Sequence, residues 1–340
     1  MENWIKYKSN PEDIIVNSSV KLLRNFKNQK FINKQNIEEA KENIDNVYKL
    51  FSAEFTNEAP QLIKIWEQNS NDIEEYVEKK LISKKLLERK DKGAFIINNE
   101  NTISIMLNEE DHIAIKCISG GLDLNNEYEF AMKVEDTLSK KYNYSFSETF
   151  GYLTMNPNNV GTGLIVSAVI HLPILTYNKK IDEISKNLYQ EGILLEAIYK
   201  EDSKCYGNLY SIKNKTTLGK KEEDILLKMQ KYIFELVKEE KKAREEILVK
   251  NEIDFEDRIY RSYGILKYAR KLTSQESLQL ISDVRLGIEL KLIDIDKKII
   301  NEITINSRNS SITRKMNINK EIINLDIERC KIIRELLINT

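Results

Sequence analysis

Proline and glycine are scarce in this chain of 340 residues, four and 11 respectively. So few helix breakers exclude a loop-rich protein and point to a helix-rich one with short connections. Cysteine is scarcer than glycine: Cys117, Cys205 and Cys330 are odd in number and far apart. They form no disulfide framework and no Cys-x-x-Cys zinc knuckle, they suggest no metal site, and they suit a reducing cytoplasm. No apolar run reaches the ~18 residues of a membrane span. Met1-Glu2-Asn3-Trp4 lacks the basic region and apolar run of a signal peptide, so none is expected. Charge of one sign is also missing, because 53 basic residues balance 54 acidic ones for a net charge of -1. No strong field draws the chain to nucleic acid or to an anionic membrane, and neither is expected as a partner. Lys84-Lys85 and Lys220-Lys221 sit among glutamates and read as solvated helix faces.

Apolar residues make up 41% of the chain, enough for a substantial core, and the length suits roughly two domains of ~100–200 residues each. Asp13-Ile14-Ile15-Val16 reads as a short strand or extended lead-in. Ile37, Ala40, Ile44, Val47 and Leu50 share one face of a helix over 36–53, and Ile73, Tyr76, Val77 and Leu81 one of a helix over 72–90. The period then changes. Ala94–Ile97 and Thr102–Leu107 flank the polar link Asn98–Asn101 as a hairpin, and Ile113–Ile118 follows as a third strand. Beyond a helix over 127–141 come an apolar strand at Leu164–Ile170, a helix over 180–190, and strands at Ile193–Tyr199 and Asn208–Ile212. Residues 222–250 carry the clearest amphipathic stripe, with Ile225, Met229, Ile233, Leu236 and Val237. After about residue 251 only helices are expected: one opened by the capping box Thr273-Ser274-Gln275-Glu276, and a tail helix from Lys320 to Leu337. The fold class is therefore α+β. A domain spans 1–250, with a helical N-terminal part to about residue 90, and an all-helical domain spans 251–340.

Two motifs carry a resemblance. Asn108-Glu109-Glu110-Asp111-His112 and Asn159-Val160-Gly161-Thr162-Gly163 resemble the signature of the ATP:guanidino phosphotransferases. Glu256–Gly264 and Ser282–Ile288 resemble the C-terminal region of the bacterial protein arginine kinases in that superfamily, so the likeness covers nearly the whole chain. It implies an antiparallel sheet flanked by helices, then a helical regulatory domain. The implied reaction is phosphoryl transfer from Mg-ATP to protein arginine side chains. Such a transfer runs on positioning and electrostatics, and a planar cationic acceptor is best held by carboxylates. By resemblance Glu110 is the catalytic base and guanidinium ligand, and Glu201 the second acceptor carboxylate. Glu201 stands between Lys200 and Asp202, where the family has glycines.

The phosphate side departs from the pattern. The family's first box, Ser-Ser-Arg-x-Arg-Leu-x-Arg-Asn, aligns on Arg24-Asn25 and places Ser19 and Lys21 at its first two arginines. Three further arginine positions are Ala114, Ile165 and Glu196, so of the ATP-site set only Arg24 remains an arginine. Asn156 stands where the family commonly has a reactive cysteine. A hydrogen bond to a charged group contributes roughly 1.5–3 kcal/mol. Losing four or five nominally removes on the order of 6–15 kcal/mol, although such contributions do not simply add. Lys21 keeps a charge without the planar fork. The departures imply an impaired enzyme with a regulatory or adaptor role, a pseudokinase that uses no cofactor. The alternative is an active kinase that marks proteins for Clp degradation and relieves a heat-shock repressor in the stress response. Lys116, Lys200 and Lys204 are candidate substitute cations. By resemblance the partners are clients with exposed arginines, a Clp chaperone, a heat-shock repressor, a zinc-finger activator, and a second copy or a paralogue in a dimer. The family's phosphoarginine-sensing pocket has Asp326 and Arg329 as its nearest counterparts.

Overall fold

The computed structural model describes residues 14–201, 204–316 and 324–338. Asp13, Asp202 and the expected start of the tail helix at Lys320 lie outside the described residues. Strand β1, Ile15–Arg24, runs well beyond Val16. Asn17, Ser18 and Ser19 are all buried in it, and their polarity hides the strand from a hydropathy pattern. Helix α1, Ile37–Glu54, starts where the Asn36 side chain accepts the Glu39 N–H. It buries Ala40, Ile44, Val47 and Phe51, while Ile37 stays 44% exposed.

After β2, Gln61–Lys64, helix α2 covers only Ser70–Glu78. The expected helix over 72–90 is cut short because Lys80 turns the chain at φ 61°, and Ser83 then caps a separate 3-10 turn at Lys84–Glu88. The hairpin of β3, Ala94–Ile97, and β4, Ile103–Leu107, is closed by the Asn98 side chain, which accepts the N–H groups of Thr102 and Ile103. Strand β5, Ile113–Gly120, and helix α3, Leu124–Ser139, complete this run.

A small hairpin follows, β6 at Phe146–Ser147 and β7 at Gly151–Tyr152, and then β8, Leu164–His171. Next come α4, Pro173–Tyr177; α5, Ile181–Gln190; β9, Ile193–Ala197; the short pair β10, Lys200–Glu201, and β11, Lys204–Cys205; and β12, Leu209–Asn214. Helix α6, Glu222–Tyr268, is far longer than its expected 222–250 and is kinked at Asn251 (φ -143°, ψ 43°). Thr273 caps α7, Ser274–Glu289, by accepting the Glu276 N–H, as its sequence motif predicts. Helices α8, Lys297–Asn306, α9, Asn309–Met316, and α10, Leu325–Ile338, close the described chain.

The main sheet has the order β2-β3-β4-β5-β1-β8-β12-β9, and the pairs from β2 to β1 are antiparallel. This is the expected antiparallel sheet flanked by helices, followed by a helical C-terminal region. The chain forms two compact units. One is built from Asn17–Ala168 and Lys213–Lys231, the other from Val169–Ile212 and Tyr232–Thr340 with the lead-in Glu12–Val16.

In the first unit, one sheet face packs Leu23, Phe95, Ile97, Met106 and Ala114 against Ile73, Ile82 and Leu86. In the second, a buried polar network ties α6 to α7 and β8. Arg244 bridges Glu240 (2.9 Å) and Glu289 (2.8 Å), and His171 Nε2 lies 2.8 Å from Ser282 Oγ. His171 is thus a core residue, and burial pushes its imidazole down to about 4. Gly287 permits this packing, since a Cβ there would lie 2.5 Å from Ile259. Among the described residues no helix is long and apolar enough to cross a membrane, and no group of His, Cys, Asp and Glu is arranged to hold a metal ion.

Candidate active site

The β4–β5 connection is Asn108–His112. Asn108 turns the chain at φ 59°, and its amide donates to the Ala40 and Lys92 carbonyls at 3.0 and 2.9 Å. Asn25, at the end of β1, grips the same turn. Its Nδ2 donates to Asp111 Oδ1 (2.6 Å) and to the Leu153 carbonyl (3.0 Å), while its Oδ1 accepts the His112 N–H (3.0 Å). Asp111 also accepts the Met155 N–H at 2.8 Å. Burial raises the Asp111 carboxyl against these two bonds. His112 accepts the Phe26 N–H at Nδ1 and meets the Lys30 carbonyl at Nε2, and burial pushes it down to about 4. The neighbours of Glu110 are thus structural rivets. Glu109 is buried, accepts from Ser83 Oγ, and offers its carbonyl to Arg89 Nε at 2.8 Å. Glu110 alone points outward, with 26% of its side chain exposed, and its Oε2 lies 2.7 Å from Lys85 Nζ.

Strand register gathers four of the six positions that the family resemblance assigns to ATP onto one sheet face. Residues directly opposite in an antiparallel pair share a face, and β1–β5 pairs Lys21 with Lys116 and Leu23 with Ala114. Ser19 lies on the same face, its Oγ 2.9 Å from Ser167 Oγ. Ala114 sits in the apolar cluster, with Ile165 packed against it. Four separate sequence positions, Ser19, Lys21, Ala114 and Ile165, therefore do come together. Lys21 and Lys116 put two cations on this face. Burial, and then the nearby charges of Lys21 and Lys80, push Lys116 down to about 7. Its ammonium donates to the Lys80 carbonyl.

Arg24 faces the other way and is 1% exposed. Its Nε meets Glu135 at 2.9 Å, its Nη1 donates to the Leu23 and Thr162 carbonyls at 2.9 Å each, and its guanidinium lies 3.5 Å from the centre of the Tyr152 ring. The Gly-Thr-Gly loop is held by the same contact. At Gly163 (φ 63°) a Cβ would lie 2.7 Å from the Leu23 carbonyl. Asn156 caps the turn at Pro157–Asn159 by accepting the Asn158 N–H at 3.1 Å.

The remaining predicted residues belong to the second unit. Glu196 is exposed on β9. Glu201 is exposed on β10, paired with Lys204 across the hairpin, and accepts from Gln275 Nε2. Asp326 and Arg329 do meet, at 2.7 Å. Arg329 is 1% exposed, and it also donates to the Ser307 carbonyl (2.9 Å), the Leu272 carbonyl (2.6 Å) and Asn309 Oδ1. Its guanidinium is thus enclosed by the protein's own acceptors.

Known proteins resemble the chain along its whole length. Residues 41–243 match the ATP:guanido phosphotransferase C-terminal catalytic domain, and residues 252–340 match the C-terminal domain of the protein-arginine kinase McsB. A protein-arginine kinase from Clostridium botulinum (strain Eklund 17B / Type B) is 42% identical, with 99% of each chain covered. The chain belongs to the protein-arginine kinase family. Within that family a relative from Clostridium tetani is 39% identical over 93% of each chain, and one from Bacillus cereus is 39% identical over 89% of this chain and 86% of its own. Among solved structures, the taurocyamine kinase of Schistosoma mansoni with bound transition-state-analogue components has a TM-score of 0.60 at 21% identity, covering 70% of this chain and 35% of that one. Lombricine kinase has a TM-score of 0.58 at 18% identity, covering 70% of each chain. These two share the fold.

The face shared by Ser19, Lys21, Ala114 and Ile165 differs in its side chains from the family pattern. Two lysines and a hydroxyl pair stand beside aliphatic side chains, and the surviving arginine is committed to Glu135. Sequence analysis misses the Lys85–Glu110 ion pair. Its only trace is a lysine 25 positions before the acid, which carries no signal without the fold.

Proposed function

We propose that this chain recognises arginine side chains through Glu110 but is impaired in ATP-dependent phosphoryl transfer, acting as a regulatory or adaptor pseudokinase. The relatives' names supply the reaction, and the residues on the donor face supply the impairment. The supporting observation is that Ala114 and Ile165 pack in an apolar cluster where the family pattern calls for arginines. An anionic polyphosphate set against aliphatic side chains gains none of the charge-assisted bonds that would offset its desolvation. In this reading the protein works in the cytoplasm on clients with exposed arginines. Its partners are a Clp chaperone, a heat-shock repressor, a zinc-finger activator, and a second copy or a paralogue.

One test is thermal unfolding with millimolar Mg-ATP. A ligand at ~100 times its dissociation constant adds ~2.7 kcal/mol, and no such stabilisation is expected. Phosphoarginine formation on an arginine-rich protein supplied with Mg-ATP would overturn the proposal. The second reading, an active kinase, draws on Lys116 lying directly across from Lys21, which puts two cations on the donor face. It predicts that Lys21→Ala and Lys116→Ala each abolish a measurable transfer.

A further inference from the structure

Three neighbouring strands of the first unit, β5, β1 and β8, carry a row of partly exposed side chains: Lys116, Lys21, Ile165 and Ser167. The residues that flank the two lysines along their strands, Ile115, Cys117, Val20 and Leu22, are buried. Solvent therefore reaches these positions from one sheet face only. Lys116 has two cross-strand neighbours. On β1 it is opposite Lys21, and on β4 it is opposite Ser104, whose buried hydroxyl has no hydrogen-bond partner among the described residues. Such neighbours stand about 4.5–5.5 Å apart between Cβ atoms. One is a cation and the other is uncharged, so neither supplies the carboxylate that would hold Lys116 as an ammonium. Its Nζ donates instead to the Lys80 carbonyl, a bond that a neutral amine makes equally and that leaves its lone pair unused.

A second cation beside a partly desolvated lysine is the arrangement that makes an amine nucleophilic near neutral pH. The same face adds an anion-holding group, since Lys21 stands next to Lys116 and Ser19 Oγ lies 2.9 Å from Ser167 Oγ. We propose that Lys116 is a site of acylation by acyl phosphates, with Lys21 and the Ser19–Ser167 hydroxyls holding the phosphate. The Lys116 nitrogen attacks the carbonyl carbon and forms the C–N bond of an amide. The C–O bond to phosphate breaks, and the amine proton leaves with the departing group as hydrogen phosphate. The short apolar acyl group remains beside Ala114 and Ile165.

The charged groups around Lys116 are Lys21 on β1, Lys80 in the turn after α2, Glu109 in the β4–β5 connection and Glu127 on α3. Burial, then Lys21 and Lys80, push Lys116 down to about 7, while Glu109 and Glu127 oppose them. Both carboxylates are engaged elsewhere, Glu109 by Ser83 and Glu127 by Ser18. At pH 7 Lys116 therefore carries about a thousandfold more neutral amine than an ordinary lysine at 10.5. This chemistry uses neither Glu110 nor Arg24, and it does not depend on whether the chain transfers phosphate.

The experiment is incubation of the full chain with millimolar acetyl phosphate across a series of pH values, with acetylation of each lysine followed by peptide mass spectrometry. At pH 7 Lys116 is expected to react at least ~10-fold faster than the exposed Lys242, because its lower basicity takes back part of the gain in neutral amine. Its rate should level off above about pH 8, whereas that of Lys242 keeps rising. The rate at Lys116 should saturate with acetyl phosphate, and inorganic phosphate should compete. Lys21→Met should weaken the saturation several-fold and move the levelling point to higher pH. If that variant does not fold, phosphate competition on the unaltered chain carries the same test. The N-hydroxysuccinimide ester of acetic acid, which has no phosphate, separates the two roles: Lys116 should still be preferred, but without saturation or competition by phosphate. A Lys116 rate no faster than that of Lys242, a rate that keeps rising past pH 9, or one untouched by inorganic phosphate would overturn the proposal.

Discussion

Arg24→Leu is the substitution that best separates a brace from a phosphate ligand. The guanidinium is 1% exposed and its partner Glu135 is 4% exposed, so removing the cation leaves a buried carboxylate without its counter-charge. Breaking a buried pair from one side costs about 3–5 kcal/mol. The Tyr152 ring, 3.5 Å from the guanidinium, loses a desolvated cation–π contact, worth about 2 kcal/mol. The Leu23 and Thr162 carbonyls lose their donor as well. Because these contacts share one group, they do not add, and about 4 kcal/mol is the expected total. Urea unfolding followed by Trp66 fluorescence would report on this unit, with an unchanged slope required for the comparison. The double variant Arg24→Leu with Glu135→Leu is expected to recover most of the loss, since an apolar pair of similar volume is often neutral. A loss below about 1 kcal/mol, coupled to weaker Mg-ATP binding, would refute the brace and return Arg24 to the donor site.

Three further outcomes are expected. Lys85→Met frees the Glu110 carboxylate, and because a half-exposed ion pair contributes ~0.2–1 kcal/mol, titration with an arginine-containing peptide should show up to about fivefold tighter binding; Glu110→Gln should abolish it. Lys116 titrates near 7 when folded against 10.5 when free. Its penalty is therefore complete below pH 7 and fades as pH rises toward 10.5, so Lys116→Met should flatten a rise in stability between pH 7 and 10.5, read as melting temperature against pH. His112 is held neutral, about 4 when folded against 6.5 when free. It therefore removes up to ~3 kcal/mol of stability as pH falls from 6.5 through 4, and the difference between wild type and His112→Gln should shrink over that range.

The sequence makes the elements with one dominant signal legible. The β3–β4 hairpin, the capping box of α7 and the start of α6 each follow from local chemistry and are found within a few residues of their expected places, although α6 runs on to Tyr268. Elements decided by tertiary burial are not legible. Strand β1 buries both faces, so its serines and asparagine belong to no alternating pattern. The stretch over 72–90 keeps a helical period, yet the backbone reverses at Lys80, a residue with no special preference for positive φ. The site divides in the same way. Four donor-face positions chosen from separate motifs do share one face. What each does there depends on register and packing, which is why Lys116 opposite Lys21, Lys85 on Glu110 and the committed Arg24 become visible only in three dimensions.

The face that holds Ala114 and Ile165 also limits which side chains can replace them. Ala114 is fully buried and Ile165 packs against the same cluster, among side chains from β1, β3, β4 and the segment that includes α2. A lone arginine at either place would carry its charge into this apolar cluster, at a cost of several kcal/mol unless an anion met it there. Charge and packing on this face are therefore coupled. Lys21 and Lys116 escape that cost for different reasons: Lys21 is only half-buried, and Lys116 reaches the Lys80 carbonyl and titrates close to neutrality. A polyphosphate arriving at this face would meet two lysines, one of them Lys116 with its ammonium disfavoured by burial, beside an apolar wall. The outward carboxylate of Glu110, by contrast, is held by a single exposed lysine that any competing cation can displace.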